Sequence, residues 1–367
     1  MTHKKQKIAF VIGALKSGGA ERVITNLSNE LVKNFDVTII TFISSEPFYA
    51  LDTDVNVVSC LNALNKPASV FDSIKLNYSI YKKVKYITKT NKIDLLIGFI
   101  TSANIIATLA AKSNNIPSII SERNDPLKND IPKFWLLLRK FIYPKADCLV
   151  AQTNKVKDIY NSMIKTKSIT VLPNPIASKL SKLRIDYRNR EKIILTVGTL
   201  NNDKRQEKIV LAFHKLELTD WKLLLIGDGP NKEKIKTLIQ NNNLSDKVEI
   251  LSQIKDVHNY YNKASIFAFA SKAEGFPNVL LEAMTFGLPS LSTDCNYGPS
   301  ELINDGENGF LVPVDNQEQF VEKLKMLTED VNLRNSFSKK ALLTTEKYID
   351  THVTSQWEAL ISKHLTK

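Results

Sequence analysis

Residues Ile266–Gly287 read IFAFASKAEGFPNVLLEAMTFG. The run Ile266–Ala270 is short and wholly apolar, as expected of a strand covered on both faces. Ser271–Phe276 is a loop that contains Gly275, which permits close backbone approach. Pro277 suits the first position of a helix, where a missing N–H costs nothing. The helix continues through Asn278–Phe286 and breaks at Gly287 and Pro289. Strand, tight loop and helix make half of a βαβ unit. The free N–H groups and positive dipole end at the helix start favour a phosphate or diphosphate. Glu274 stands just ahead of the helix, and Glu282 lies about one and a half turns inside it. Carboxylates are apt acceptors for vicinal hydroxyls, so one can face a sugar and the other a ribose. The plainer reading makes Glu274 a helix-start charge and Glu282 a solvated helix residue. The apolar run VLLEAM around Glu282 makes a solvated face less natural.

The same alternation extends along the whole chain. In the first half the apolar runs are Ile8–Ile12, Val37–Phe42, Val55–Ser59, Leu95–Phe99, Ser118–Ser121 and Cys148–Ala151, with helical stretches such as Ala20–Lys33 and Ser73–Thr90 between them. In the second half they are Ile193–Val197, Trp221–Ile226, Val248–Leu251, Ile266–Ala270, Pro289–Thr293 and Phe310–Val312. Strands alternating with helices imply right-handed crossovers and a doubly wound α/β sheet in each half. Pro173 and Pro175 exclude a helix at that point and start a linker over about residues 173–190. The tail from Asp315 reads as all-helical. Two such domains imply a cleft, with ligands bound beyond the carboxyl ends of the strands.

The 367 residues suit two domains of ordinary size. With 43 % hydrophobic and 24 % charged residues, the chain is neither disordered nor collagen-like. Cys60, Cys148 and Cys295 are odd in number and far apart, which makes no disulfide framework and points to a reducing cytosol. Five histidines with no His-Glu-x-x-His or Cys-x-x-Cys spacing argue against a resident metal. The longest uncharged run, Leu95–Ala111, is shorter than the roughly 20 residues of a membrane-spanning helix, and the first residues lack the flanks of a signal peptide. The net charge of +12 is uneven: residues 1–180 hold 25 Lys and Arg against 13 Asp and Glu, and the remainder holds 25 of each. The first half therefore faces an anionic partner, or else it is a lysine-rich solvated surface.

Other strand ends carry further candidates. Ile8–Asn29 runs from a strand through Gly18 and Gly19 into an amphipathic helix. It is neither a Walker loop nor a G-x-G-x-x-G fingerprint, and a simple tight turn explains it as well. Thr196–Phe213 places Thr199, Lys204 and Arg205 between a strand and a helix, where a cation can neutralise a departing diphosphate. Gly227-Asp228-Gly229-Pro230 ends another strand, bordering a nucleotide base or serving only as a turn. Ser121-Glu122-Arg123-Asn124-Asp125 ends a strand of the basic half, and Glu122 and Arg123 serve either an acceptor or a surface ion pair.

Taken together, Lys16-Ser17-Gly18-Gly19-Ala20-Glu21-Arg22, the Gly198–Lys204 loop, Gly227-Asp228-Gly229-Pro230, Glu274-Gly275-Phe276-Pro277-Asn278-Val279-Leu280-Leu281-Glu282 and Gly306-Glu307-Asn308-Gly309-Phe310-Leu311-Val312 resemble the retaining glycosyltransferases of family 4 over nearly the whole chain. The resemblance implies the GT-B fold: a Rossmann-like acceptor domain over 1–175, a Rossmann-like nucleotide-sugar domain over 190–345, and a helix over 346–367 returning to the first domain. By position, Glu274 meets the donor hexose and Lys204 the diphosphate, and these two carry catalysis. Gly18, Gly19, Gly227, Gly275, Phe276, Pro277, Asn278 and Val279 line the donor, and Glu282 binds ribose. Glu122 and Arg123 serve the acceptor. The chain departs from the family at Thr199, where Arg is frequent and Arg205 would have to compensate, and at Arg123, where many relatives place histidine.

The implied reaction retains anomeric configuration and needs neither metal nor cofactor. The acceptor hydroxyl attacks the face that the nucleotide leaves, and the departing phosphate oxygen takes the proton. The expected donor is a UDP-hexose or UDP-N-acetylhexosamine, and the expected acceptor a polyprenyl-diphosphate-linked glycan of surface polysaccharide synthesis. Lys75–Lys92 has six lysines, no acid, and interleaved Tyr78, Tyr81 and Tyr86. Lys128–Lys145 adds Lys133, Arg139 and Lys140 beside Phe134, Trp135 and Phe141. Such helices suit an anionic leaflet, which places the protein in the cytoplasm, peripheral on the inner membrane face. Nucleic acid is not expected, since no single-strand or helix-turn-helix signature accompanies the charge. The rival to an enzyme is a non-catalytic sugar-nucleotide-binding partner subunit.

Overall fold

A computed structural model describes residues 4–63, 68–123, 126–127, 132–186 and 190–366. The chain folds as two units, residues 1–175 with 350–367, and residues 176–349.

In the first unit the chain runs through β1 (Lys7–Ile12), α1 (Gly19–Leu31), β2 (Asp36–Ile43), β3 (Asn56–Leu61), α2 (Val70–Thr90), β4 (Leu95–Phe99), α3 (Thr101–Ser113), β5 (Ser118–Ser121), α4 (Lys133–Ile142), β6 (Cys148–Ala151), α5 (Asn154–Met163) and β7 (Ile169–Val171). The sheet order is β3-β2-β1-β4-β5-β6-β7, and every pairing is parallel. Ile8 stands opposite both Val37 and Leu95, so β1 is central, and Ile8–Ile12 are fully buried. α1 covers one face with Val23, Ile24, Leu27 and Leu31, the spacing of an apolar stripe. α2 begins at Val70, three residues ahead of Ser73, because Ser69 caps it by accepting from the Asp72 amide at 3.1 Å. The edge strand β7 is too short for its sequence to announce it, since all three of its residues are half-buried.

The second unit holds α6 (Ser178–Lys182), β8 (Ile193–Val197), α7 (Gln206–Lys215), β9 (Lys222–Ile226), α8 (Lys232–Asn241), β10 (Val248–Leu251), α9 (His258–Lys263), β11 (Ile266–Phe269), α10 (Asn278–Thr285), β12 (Ser290–Thr293), α11 (Pro299–Leu302), β13 (Gly309–Val312), α12 (Gln317–Glu329) and α13 (Val331–Thr345). Its parallel sheet runs β10-β9-β8-β11-β12-β13. The short α6 occupies part of the expected linker, after Pro175, and residues 187–189 of that linker lie outside the described residues.

The chain ends in α14 (Asp350–Leu365), which belongs to the first unit. Val353, Trp357, Leu360 and Ile361 enter the core built on β1 and β4, and the Trp357 ring stacks on Phe99 with centroids 6.0 Å apart. Burying a stripe of this kind stabilises by about 1.5–3 kcal/mol per large apolar side chain. In both sheets the strand order reverses beside the first strand of the unit, β1 or β8. The loops following β1 and β4, and those following β8 and β11, therefore diverge and leave room for a ligand.

Candidate active site

In the second unit the loops after β8, β9 and β11 are tied to one another. The Gly198 amide donates to Ile226 O, the Leu200 amide to Asp228 O and the Asn231 amide to Leu200 O, each at 2.9 Å. This leaves no room for side chains between the two backbones. A Cβ on Gly227 would lie 1.9 Å from the Gly198 carbonyl oxygen, and one on Gly229, whose φ is +156°, 2.4 Å from that of Leu200. The two glycines thus hold the Gly198–Arg205 loop in place through backbone contact. Asn201 shapes that loop by accepting from the Asp203 and Lys204 amides at 3.1 and 3.0 Å, an Asx turn within the run Asn201-Asn202-Asp203.

This turn presents Lys204. Its ammonium pairs with Glu274 Oε1, and Ser271 Oγ donates to the same oxygen at 2.6 Å. Lys204 Nζ also lies 5.4 Å from the Phe269 ring centroid. The Glu274 side chain is only 9 % exposed and that of Lys204 23 %, so the pair is largely shielded from water. The Lys272 amide donates to Asp203 O at 2.8 Å, tying the loop after β11 to the loop after β8. Cys295 is buried nearby, and burial, with the Glu274 charge adding to it, pushes its thiol up to about 12.

Pro277 is the residue before α10 (φ −83°, ψ 79°) rather than its first helical residue, which is Asn278. The helix thus starts one residue later than expected, because that ψ lies outside the helical range. Among the described residues no side chain caps the start of α10 from Pro277, and Gly287 follows its last residues at φ +71°. Glu282 is 8 % exposed and accepts from the Tyr261 hydroxyl at 3.2 Å, so it is not a solvated helix charge. Phe276 is buried in the core against Tyr348, and its carbonyl accepts from the Asn278 amide at 3.0 Å, while Gly275, Asn278 and Val279 are partly exposed. Thr199 is exposed, and its carbonyl accepts from Gln206 Nε2 at 3.0 Å. Arg205 does not join the Lys204–Glu274 pair. It takes the left-handed conformation (φ 52°) ahead of α7 and directs its guanidinium to Val314 O at 3.2 Å and to Asp315 at 2.9 Å.

The first unit holds the remaining candidates, Gly18, Gly19, Glu122 and Arg123. Gly18 is extended (φ −171°), a conformation any residue adopts, and a Cβ there would meet only the flexible end of Glu21. Glu122 and Arg123 are not a surface ion pair, since they are 1 % and 8 % exposed. Glu122 Oε2 accepts from the hydroxyls of Tyr143 at 2.7 Å and Thr101 at 3.0 Å, and Oε1 from the Arg123 amide at 3.2 Å. Burial and the Glu122 charge hold the Tyr143 phenol well above its usual range. Asn124 and Asp125 lie outside the described residues. Ile100, which belongs to no motif, stands between β4 and α3 at φ 73°, ψ 151°, a region open in practice only to glycine. Among the described residues no group of three His, Cys, Asp or Glu could hold a metal ion.

Two helices of the first unit carry exposed apolar side chains together with basic ones. On α2, Val70, Phe71, Ile74 and Tyr78 are exposed on one face, while Ile80, Val84 and Ile87 are core. On α4, Phe134, Leu137 and Phe141 are exposed at helical spacing beside Lys133 and Lys140. Arg139, expected with those basic residues, is buried instead and donates to Pro126 O at 3.2 Å. Residues 128–131, including Lys128, lie outside the described residues. No described helix is long and apolar enough to cross a membrane.

The profile of the Glycosyltransferase Family 4 matches residues 17–179, and that of Glycosyl transferases group 1 matches residues 182–343. The chain is 32 % identical to the N-acetylgalactosamine-N,N'-diacetylbacillosaminyl-diphospho-undecaprenol 4-alpha-N-acetylgalactosaminyltransferase of Campylobacter jejuni, over 92 % of this chain and 94 % of that one. It is 28 % identical to a second Campylobacter jejuni enzyme, an alpha-1,4-N-acetyl-D-galactosaminyltransferase whose named acceptor is a diphospho-undecaprenol glycan, over 97 % and 98 %. The structure of Anabaena HepE in complex with UDP superposes with a TM-score of 0.81 at 16 % identity, covering 98 % of this chain and all of that one. That likeness shows a shared fold.

Proposed function

The chain belongs to the family 4 glycosyltransferases, with the GT-B fold, and on that premise we propose that it moves a hexose or N-acetylhexosamine from a UDP-sugar to a polyprenyl-diphosphate-linked glycan, with retained anomeric configuration and no metal. The observation that carries this reading is the shielded Lys204–Glu274 pair beside the start of α10. Two opposite charges held out of water are costly unless each is compensated. A donor diphosphate takes Lys204 from Glu274, and the freed carboxylate accepts hydroxyls of the donor sugar. Lys204 and the first amides of α10 stabilise the charge on the departing phosphate. That phosphate oxygen takes the acceptor proton, so no protein nucleophile is required. Glu282, held by Tyr261, accepts the ribose hydroxyls. Thr199, Gly227, Gly275, Pro277, Asn278 and Val279 line the donor. Arg205 is left out of the phosphate clamp by its contacts with Val314 and Asp315.

Glu122 and Arg123 serve the acceptor. The exposed faces of α2 and α4 rest on an anionic leaflet, where the apolar side chains enter the interface and the lysines meet phosphate. The undecaprenol-linked acceptors named for the Campylobacter jejuni relatives support this reading. The test is transfer from a panel of UDP-sugars to an undecaprenyl-diphosphate-linked acceptor in the presence of EDTA, with the product anomer read by NMR. An α-linked product from an α-linked donor is expected. UDP-sugar binding without transfer in every combination would favour a non-catalytic subunit, and an absolute need for metal would refute the mechanism.

A further inference from the structure

Arg123 is a buried cation, and only one of its three guanidinium nitrogens has a hydrogen-bond partner among the described residues. Its Nη1 donates to Asn174 Oδ1, which also accepts from Gln152 Nε2 at 2.9 Å. Its Nε and Nη2 are buried and have no hydrogen-bond partner among the described residues. By covalent geometry the Nε–H and the neighbouring Nη2–H point the same way, as a two-pronged fork that matches the paired oxygens of a phosphate or carboxylate. The adjacent carboxylate, Glu122, is taken up by Tyr143, Thr101 and the Arg123 amide. The guanidinium instead lies 4.6 Å from the Phe99 ring centroid and 6.0 Å from that of Trp357. Ring faces orient a cation but give it no oxygen acceptor. Burial pushes the Arg123 pKa down, the direction expected of a cation short of partners.

We propose that the Nε/Nη2 fork of Arg123 receives an oxyanion carried by the acceptor, either a phosphate of a lipid diphosphate or the carboxylate of an acidic sugar, with Phe99 and Trp357 as the residues that position it. The term acceptor rests on the function proposed above, whereas the anion site rests on the fork. A neutral sugar hydroxyl would leave the buried charge uncompensated, which is why an anion is favoured.

Titration calorimetry on the full chain tests this, in a Lys204→Ala background so that the second unit's cation does not report. The probes are inorganic pyrophosphate, glucuronate and glucose. One of the two anions is expected to bind at least tenfold more tightly than glucose. A preference for pyrophosphate identifies the lipid diphosphate as the source, and a preference for glucuronate an acidic sugar. Arg123→Gln and Arg123→Lys are each expected to weaken that anion at least tenfold. The lysine variant keeps the charge and loses only the fork, and it decides the matter if Arg123→Gln does not fold. Trp357→Leu is expected to weaken the anion and Trp357→Phe to restore it, a pattern that loss of packing alone would not give. Unchanged binding in a folded Arg123 variant, or glucose bound as tightly as both anions, overturns the proposal. Neither donor nor turnover enters the measurement, so failure of sugar transfer is a separate result.

Discussion

Gly229→Ala tests the claim that the loops after β8 and β9 lie backbone on backbone. The new Cβ would stand 2.4 Å from Leu200 O, 2.8 Å from its N and 2.9 Å from its C, all backbone atoms that cannot swing aside. Holding alanine at φ +156° costs about 1–3 kcal/mol. Moving Leu200 to relieve the overlap breaks the hydrogen bonds from the Leu200 amide to Asp228 O and from the Asn231 amide to Leu200 O. Each is worth about 1 kcal/mol. The expected loss is therefore about 3–5 kcal/mol. For a unit of this size that lowers the melting temperature by roughly 6–20 °C, at about 2–4 °C per kcal/mol. Gly306→Ala is the control: its φ is +72° but nothing lies within 4 Å of a Cβ there, so only the conformational cost of about 1–2 kcal/mol applies. Scanning calorimetry on both variants separates overlap from conformation. Equal losses for the two, or a loss under about 1 kcal/mol for Gly229→Ala, would refute the reasoning.

Lys204→Ala is expected to lower kcat for sugar transfer by about 10²–10³, the usual cost of removing one group that stabilises developing charge. Steady-state kinetics check it, and transfer at the wild-type rate removes Lys204 from the mechanism. Cys60 and Cys295 are buried with thiols pushed up to about 11 and about 12. None of the three cysteines, all buried, should react with a disulfide reagent at pH 8 until denaturant is added. Because the folded protein keeps these protons longer than the unfolded chain does, the associated stability is complete below about pH 9 and is lost as the pH climbs toward 12. A urea-midpoint series above pH 9 measures the fall, and a rising midpoint contradicts the burial. Lys82→Glu with Lys85→Glu on α2 should weaken binding to anionic vesicles by at least fivefold per position, at about 1 kcal/mol for each basic residue near the surface. Co-sedimentation at two salt concentrations reads it, and unchanged, salt-independent partitioning would show that α2 does not face the leaflet.

The amino-acid sequence alone settled the alternation of buried strands and amphipathic helices. That signal is local: continuous Val, Ile and Leu runs suit only strands covered on both faces, and 3.6-residue stripes suit only helices that cover them. It also located the post-strand loops of both halves, because Gly, Pro and charged residues interrupt the apolar runs there. Tertiary structure decided which of those residues meet. Sequence could not pair Lys204 with Glu274 or send Arg205 to Asp315, because ion pairing depends on where a loop brings a side chain in space. Nor could it show that Arg123 is buried against Phe99 and Trp357, which come from β4 and from the helix at the far end of the chain. Burial of a charge is a property of packing between distant segments, and no local pattern encodes it.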